Sequence, residues 1–269
     1  MELAICSFAS GSSGNCFLIK TEETAVLVDA GISGRQVESG LASLGLKTED
    51  LSAVLITHEH SDHIRGLRVI SSRSCAPVYA SEGTFRGIEF ADELGPKRVF
   101  CPGESFSVGD IRISSFATSH DAAEPSGFSF STGGKKISIV TDTGTVTEDC
   151  YCCVKDADIL VLESNHDESV LRMGRYPWFL KQRILSEEGH LSNEAAARMV
   201  LRILQEEQAS GRQEKNRLVL LAHLSKENNF PEMALQTMSN ILGTGGFSAG
   251  GRLRIKVLSR TERSPLYTL

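Results

Sequence analysis

The stretch Thr57-His58-Glu59-His60-Ser61-Asp62-His63 holds three of the chain's seven histidines together with the carboxylate of Asp62. Imidazole and carboxylate suit zinc, manganese or iron(II), and two such ions a few Å apart are a recurring hydrolytic device. His58 and His60 lie two apart, so in extended chain they face the same way. Asp62 and His63 follow a turn and reach a second point nearby. The run before them, Leu51-Ser52-Ala53-Val54-Leu55-Ile56, is short and apolar and reads as a buried strand. The ligands therefore start where a strand ends, on a loop that can aim them into one cleft.

A metal site of this kind needs further donors. His120, Asp142 and His223 each follow an apolar strand-like run. The expected arrangement is His58, His60 and His120 on one ion and Asp62, His63 and His223 on the other, with Asp142 bridging. A water shared by two cations becomes hydroxide near neutral pH. Asp29 ends the run Ala25-Val26-Leu27-Val28 and is expected to fix a metal-bound histidine from behind.

The elements that position these groups alternate. Strands are expected at residues 2–8, 15–20 and 25–28, with Ala9-Ser10-Gly11-Ser12-Ser13-Gly14-Asn15 allowing a tight turn between the first two. Helix follows over 34–45, and again from Asp62 to about Arg73. A strand at 77–80 and a helix at 82–93 precede several short strands over 97–118 and a hairpin over 126–141 turning at Gly133-Gly134. Helix is expected over 146–156, a strand at 159–162, and mostly helix over 168–187 broken by Gly174 and Pro177. Ser192 or Asn193 caps the next helix. A polar connection from Gln205 to Lys215, a strand at 218–221, a helix around 231–242 and a last strand at 253–258 complete the chain. No repeat or compositional break appears, so residues 1–269 read as one domain.

Composition agrees with a soluble globular protein. The chain has 269 residues, 41% of them hydrophobic, and no apolar run of membrane-spanning length. Its start lacks a basic segment, so no signal peptide is expected and the location is expected to be cytoplasmic. The seven cysteines are scattered and form no C-x-x-C pair, as suits reduced thiols. A net charge of −6 excludes a general nucleic-acid coat but allows a local basic surface.

The H-x-H-x-D-H segment with the later histidine, aspartate and histidine resembles the metallo-β-lactamase superfamily. The resemblance implies an α/β fold, a four-layer αββα sandwich with the metals at one edge of the two sheets. Ala9-Ser10-Gly11-Ser12-Ser13-Gly14-Asn15, Ser119-His120-Asp121-Ala122-Ala123-Glu124-Pro125, Glu163-Ser164-Asn165-His166-Asp167, Met173-Gly174-Arg175-Tyr176-Pro177-Trp178, Gly189-His190-Leu191-Ser192-Asn193 and His223-Leu224-Ser225 are similar to the bacterial YycJ (WalJ) family. That family implies 5′-to-3′ exonuclease action on DNA with two divalent ions, zinc or manganese, iron being compatible. Glu163 and Gly189-His190 also resemble the tRNA 3′-processing nucleases. By that resemblance His190 stabilises the phosphorane or protonates the leaving oxygen, and Glu163 holds its tautomer. Asp62, besides ligating, orients the attacking hydroxide.

DNA also needs a docking surface. Arg172, Arg175, Lys181 and Arg183 fall together with Tyr176, Trp178 and Phe179 interleaved, a mixture suited to phosphates and bases. Arg175, Trp178 and Lys181 are the expected docking residues, and Asn165 and His166 are expected at the substrate side of the site. Two alternatives stay open: a small-molecule hydrolase acting on a cyclic phosphodiester, lactone or thioester, and a non-catalytic regulatory partner protein.

Overall fold

The computed structural model describes residues 2–211 and 215–269. The first strands are β1 (Ala4–Ala9), β2 (Cys16–Lys20) and β3 (Ala25–Val28). They form an antiparallel meander whose side chains are almost all buried. Helix α1 (Gly34–Ala42) starts at a capping box in which Ser33 and Gln36 satisfy each other's orphan amides. Then come β4 (Ala53–Leu55), α2 (Ser61–Ile64), α3 (Leu67–Arg73), β5 (Val78–Ser81), α4 (Glu82–Gly87) and β6 (Lys97–Phe100). β3 to β6 pair in parallel. With β14 (below) they complete a seven-stranded sheet in the order β14-β1-β2-β3-β4-β5-β6.

The second half opens with β7 (Ser105–Val108), β8 (Ile111–Ala117), β9 (Ser126–Thr132) and β10 (Lys135–Val140). It continues through α5 (Glu148–Val154), β11 (Ile159–Glu163), α6 (Glu168–Met173), α7 (Trp178–Ile184) and α8 (Asn193–Ala209). β12 (Arg217–Ala222), α9 (Pro231–Thr244), β13 (Leu253–Val257) and β14 (Tyr267–Thr268) end it. The second sheet runs β13-β12-β11-β10-β9-β8-β7. β11 and β12 read as continuous apolar runs because parallel strands are covered on both faces. The outer strands β6 and β13 carry Lys97, Arg98, Arg254 and Lys256 at exposed positions, which discourages edge-to-edge pairing.

Contacts divide the chain, which reads in sequence as one domain, into two compact units. One comprises Met1–Ala117, Ala122–Ile137 and Ser259–Leu269, the other Thr118–Asp121 and Ser138–Leu258. In the first, Leu18, Leu27, Val54, Ile56, Val78 and their neighbours make one hydrophobic core. Truncating a buried leucine such as Leu27 there costs about 2–5 kcal/mol. Among the described residues no helix is long and apolar enough to cross a membrane.

Three expectations change. The helix expected from Asp62 to Arg73 is two helices broken before Leu67. Gly66 sits in the break because a Cβ there would meet Ile32 O at 2.3 Å, and its N–H donates to Ala30 O at 2.7 Å. The polar connection expected from Gln205 is helical as far as Ala209, and its residues 212–214 lie outside the described residues. The strand at 253–257 is not the last, since Tyr267–Thr268 pairs with β1. A two-residue strand held by its partner has no pattern of its own to read.

Candidate functional site

In the first unit the site is built where β3 and β4 end. His60 caps α2 in an extended conformation, so Asp62 and His63 fall in the helix's first turn. Backbone bonds lace this turn to its neighbours: Asn15 N–H to Asp62 O and Ala30 N–H to His63 O, each 2.8 Å. Gly31 passes so close that a Cβ would lie 1.6 Å from Asp62 O, so no larger residue fits.

Asp29 ends β3 in the left-handed region, φ 58°, a strained conformation for a non-glycine residue. Its buried carboxylate accepts from Thr57 N–H at 2.9 Å, from Thr57 Oγ1 and from His63 Nδ1 at 2.7 Å. With Nδ1–H committed there, His63 keeps its lone pair on Nε2. Asn15 Nδ2 lies 3.1 Å and Asp62 Oδ2 3.6 Å from that nitrogen. His58 Nδ1 lies 3.0 Å from Thr57 Oγ1, which can accept its N–H. The His58 ring is 4.6 Å from that of His60 and 4.1 Å from that of His63, centroid to centroid. Buried histidines whose far nitrogen is held by a carboxylate or hydroxyl are what a divalent ion with nitrogen and oxygen donors requires. His58 and His63 are held in this way, with His60 and Asp62 beside them.

In the second unit four strand ends contribute: His120 beyond β8, Asp142 after β10, Glu163 closing β11 and His223 after β12. Asp142 and His223 are also left-handed, with φ 58° and 54°. Glu163 is fully buried. Its Oε1 accepts the Nδ1–H of both His190, at 2.8 Å, and His223, at 2.9 Å. Its Oε2 accepts from Thr143 N–H at 2.9 Å. Burial alone would raise its carboxyl, but His190 and His223 bring it down to about 2. Donor atoms of Asp142, Glu163, His190 and His223 lie within 4.8 Å of one another. Glu163 is nonetheless no ligand in this arrangement, since its oxygens are engaged with N–H groups. It stands behind the two imidazoles and leaves each Nε2 available. His120 follows the same rule, with Nδ1–H donating to Gly189 O at 3.0 Å and Nε2 3.9 Å from Asp142 Oδ1. Burial pushes the His120 pKa down, which favours the neutral, ligating form.

The residues expected to meet substrate divide. Arg175 and Trp178 are exposed. Lys181 is buried, and its Nζ donates to Arg172 O and Gly174 O, each 2.7 Å. It holds the α6–α7 turn together and presents no cation to a phosphate. Arg183 is likewise engaged, paired with Asp121. Asn165 is buried with Nδ2 donating to His223 O at 2.9 Å, so it braces a strand end. His166 is 1% exposed, neither ring nitrogen has a hydrogen-bond partner, and burial pushes its pKa down to about 4. Asn165 and His166, expected at the substrate side of the site, are both buried. Sequence reasoning missed Thr57, which couples Asp29 to His58, and Thr143. Each stands at a strand end beside an expected ligand, and that position was the available signal.

Residues 24–209 match the Beta-lactamase superfamily domain. Over 258 residues, 95% of each chain, the protein is 41% identical to exodeoxyribonuclease YycJ of Bacillus anthracis. It is 43% identical over 263 residues to exodeoxyribonuclease WalJ of Streptococcus pneumoniae, covering 96% of this chain and 95% of that one. Among solved structures, the metallo-beta-lactamase fold protein YhfI of Bacillus subtilis aligns with TM-score 0.70 at 16% identity, covering 97% of this chain and 99% of its own. Two mixed sheets with helices, strand-end donors and whole-length identity agree: the chain has the αββα metallo-β-lactamase fold and belongs to the β-lactamase superfamily, within the family of the YycJ and WalJ exodeoxyribonucleases.

Proposed function

We propose that the protein is a dinuclear metal-dependent exonuclease that hydrolyses phosphodiester bonds of DNA from the 5′ end, in the cytoplasm. The observation that carries this reading is 41–43% identity, along at least 95% of the chain, to proteins named exodeoxyribonucleases. The intact histidine and carboxylate donor set supports it. His58, His60 and His120 would hold one ion and Asp62, His63 and His223 the other, with Asp142 shared. Zinc and manganese both suit this donor set. Two divalent ions, when bound, neutralise non-bridging phosphate oxygens and lower the pKa of a water.

The chain's own residues supply the rest. Asp29 and Glu163 set the tautomers of His63 and His223. Asp62, besides ligating, would accept a hydrogen bond from the attacking oxygen nucleophile and so orient it. Glu163 stabilises the imidazolium of His190, which a proton transfer to the leaving oxygen requires.

The test uses protein stripped of metal and reloaded with manganese or zinc. It is incubated with duplexes labelled at either end, with and without a 5′-phosphate, beside His60→Ala. Metal-dependent release from the 5′ end, absent in the variant, is expected. Intact duplex, single-stranded DNA and RNA in both metals would overturn the reading and turn the search to cyclic phosphodiesters and lactones.

A further inference from the structure

The described residues include seven exposed large hydrophobic side chains, and the three most exposed lie within seven residues of one another: Met173 at 88%, Trp178 at 63% and Phe179 at 72%. Arg175 is exposed between them. A rigid apolar cluster left in water marks an interaction site. This one is rigid by construction. Lys181 ties the carbonyls of Arg172 and Gly174 from beneath. A Cβ on Gly174 would lie 2.9 Å from Val170 O, so the chain turns tightly there.

The other end of α7 enters the site. His190 N–H donates to Ile184 O at 3.0 Å, Arg183 pairs with Asp121 beside His120, and Asp121 N–H donates to Glu188 O at 3.0 Å. At 1.5 Å per residue, α7 sets Trp178 about 9 Å along its axis from Ile184. That is the length of two to three stacked nucleotides at ~3.4 Å each.

Resting on the nuclease reading, we infer that Met173, Arg175, Trp178 and Phe179 form a platform that takes unpaired nucleotides at a DNA end and selects single-stranded or frayed ends over blunt duplex. Trp178 and Phe179 are consecutive, so their rings point about 100° apart around the helix. They make no single flat face. A strand that follows them must bend over a cylinder of about 10 Å diameter. A single strand can do this and give one base to each ring. Duplex DNA, stiff over ~150 base pairs, cannot. Arg175 offers the cation for an intervening phosphate.

Trp178 is the chain's sole tryptophan, so its emission reports on the platform directly. Metal-free protein in chelator is titrated with an oligodeoxythymidylate of about 10 nucleotides, within the usual span of single-strand sites, and with a blunt duplex of equal length. Quenching by the single strand alone is expected. Trp178→Ala, followed by anisotropy of a labelled oligonucleotide, is expected to weaken single-strand binding about tenfold. The metal-loaded variant is expected to lose the preference for overhanging over blunt ends. Equal quenching by blunt duplex, or none by either, overturns the platform. A spectral shift on raising protein concentration alone, with sedimentation as a dimer, also overturns it and assigns the surface to a second copy of the chain. Cleavage without quenching removes the platform only. Quenching without cleavage of any DNA keeps the platform and removes the hydrolysis.

Discussion

Glu163 serves two histidines with one oxygen, and that sharing separates it from His190 in experiment. Replacing His190 by alanine removes the proton donor alone. The expected result is a fall in kcat of about 10²–10⁴-fold, with metal affinity and DNA binding retained. Glu163→Gln replaces the carboxylate that both His190 and His223 donate to by an uncharged, weaker amide acceptor. It is expected to lower kcat and also to weaken metal binding about 10–100-fold, because a ligand histidine loses its orienting carboxylate. Single-turnover rates and metal titration check both, and unchanged metal affinity in Glu163→Gln would show that His223 does not ligate through Nε2. His166 yields a separate expectation. Buried, it takes a proton only near pH 4, whereas unfolded it does so below about 6.5. Between those values the unfolded chain binds more protons, so stability rises with pH and is lost as pH falls from 6.5 toward 4. The full effect is on the order of 3 kcal/mol. Urea unfolding of metal-free protein at several pH values should show a shallower dependence in His166→Gln than in the wild type. Equal slopes would mean that His166 is not held neutral.

Strand ends organise both units, and this is the level at which most of the structure was legible from sequence. The runs Ala25-Val26-Leu27-Val28 and Leu218-Val219-Leu220-Leu221 are too apolar to be anything but buried, so the polar residue ending each is marked as special. What the pattern could not carry is backbone strain. Asp29, Asp142 and His223 adopt left-handed φ against their own preference, because each strand must turn sharply while its side chain stays inward. That choice belongs to tertiary structure. Lys181 misled for a related reason. A lysine among arginines and aromatics reads as a docking cation, yet its long stem carries the ammonium to two carbonyls of the α6–α7 turn. Lys181→Met keeps the stem and removes those bonds. It is expected to destabilise the unit by roughly 1–3 kcal/mol and to speed proteolysis within residues 172–178, while DNA phosphate contacts are unaffected. A full-length chain resistant to protease as before would return Lys181 to the docking surface.

At the scale of the whole molecule, charge limits how DNA can be approached. The chain carries 34 acidic against 28 basic residues, and several arginines are already paired on the surface, Arg172 with Glu168 and Arg202 with Glu148 and Glu206 among them. A body of this net sign has no general attraction to the shaft of a duplex. It suits an enzyme that meets DNA at an end, where a few contacts and stacking suffice. Salt dependence tests this. A protein that neutralises many phosphates shows log K falling steeply with log salt, and for single strands the slope is about −0.7 per phosphate contacted. With Arg175 the cation at the platform, and one or two further contacts near the site, the slope for a single-stranded end is expected near −2. Arg175→Ala should reduce it by about 0.7. Anisotropy titrations of metal-free protein over a range of potassium chloride concentrations measure both. A slope beyond about −5, or retention of closed circular duplex as tightly as linear DNA, would place a broad basic surface elsewhere on the molecule and remove the reason for acting from an end.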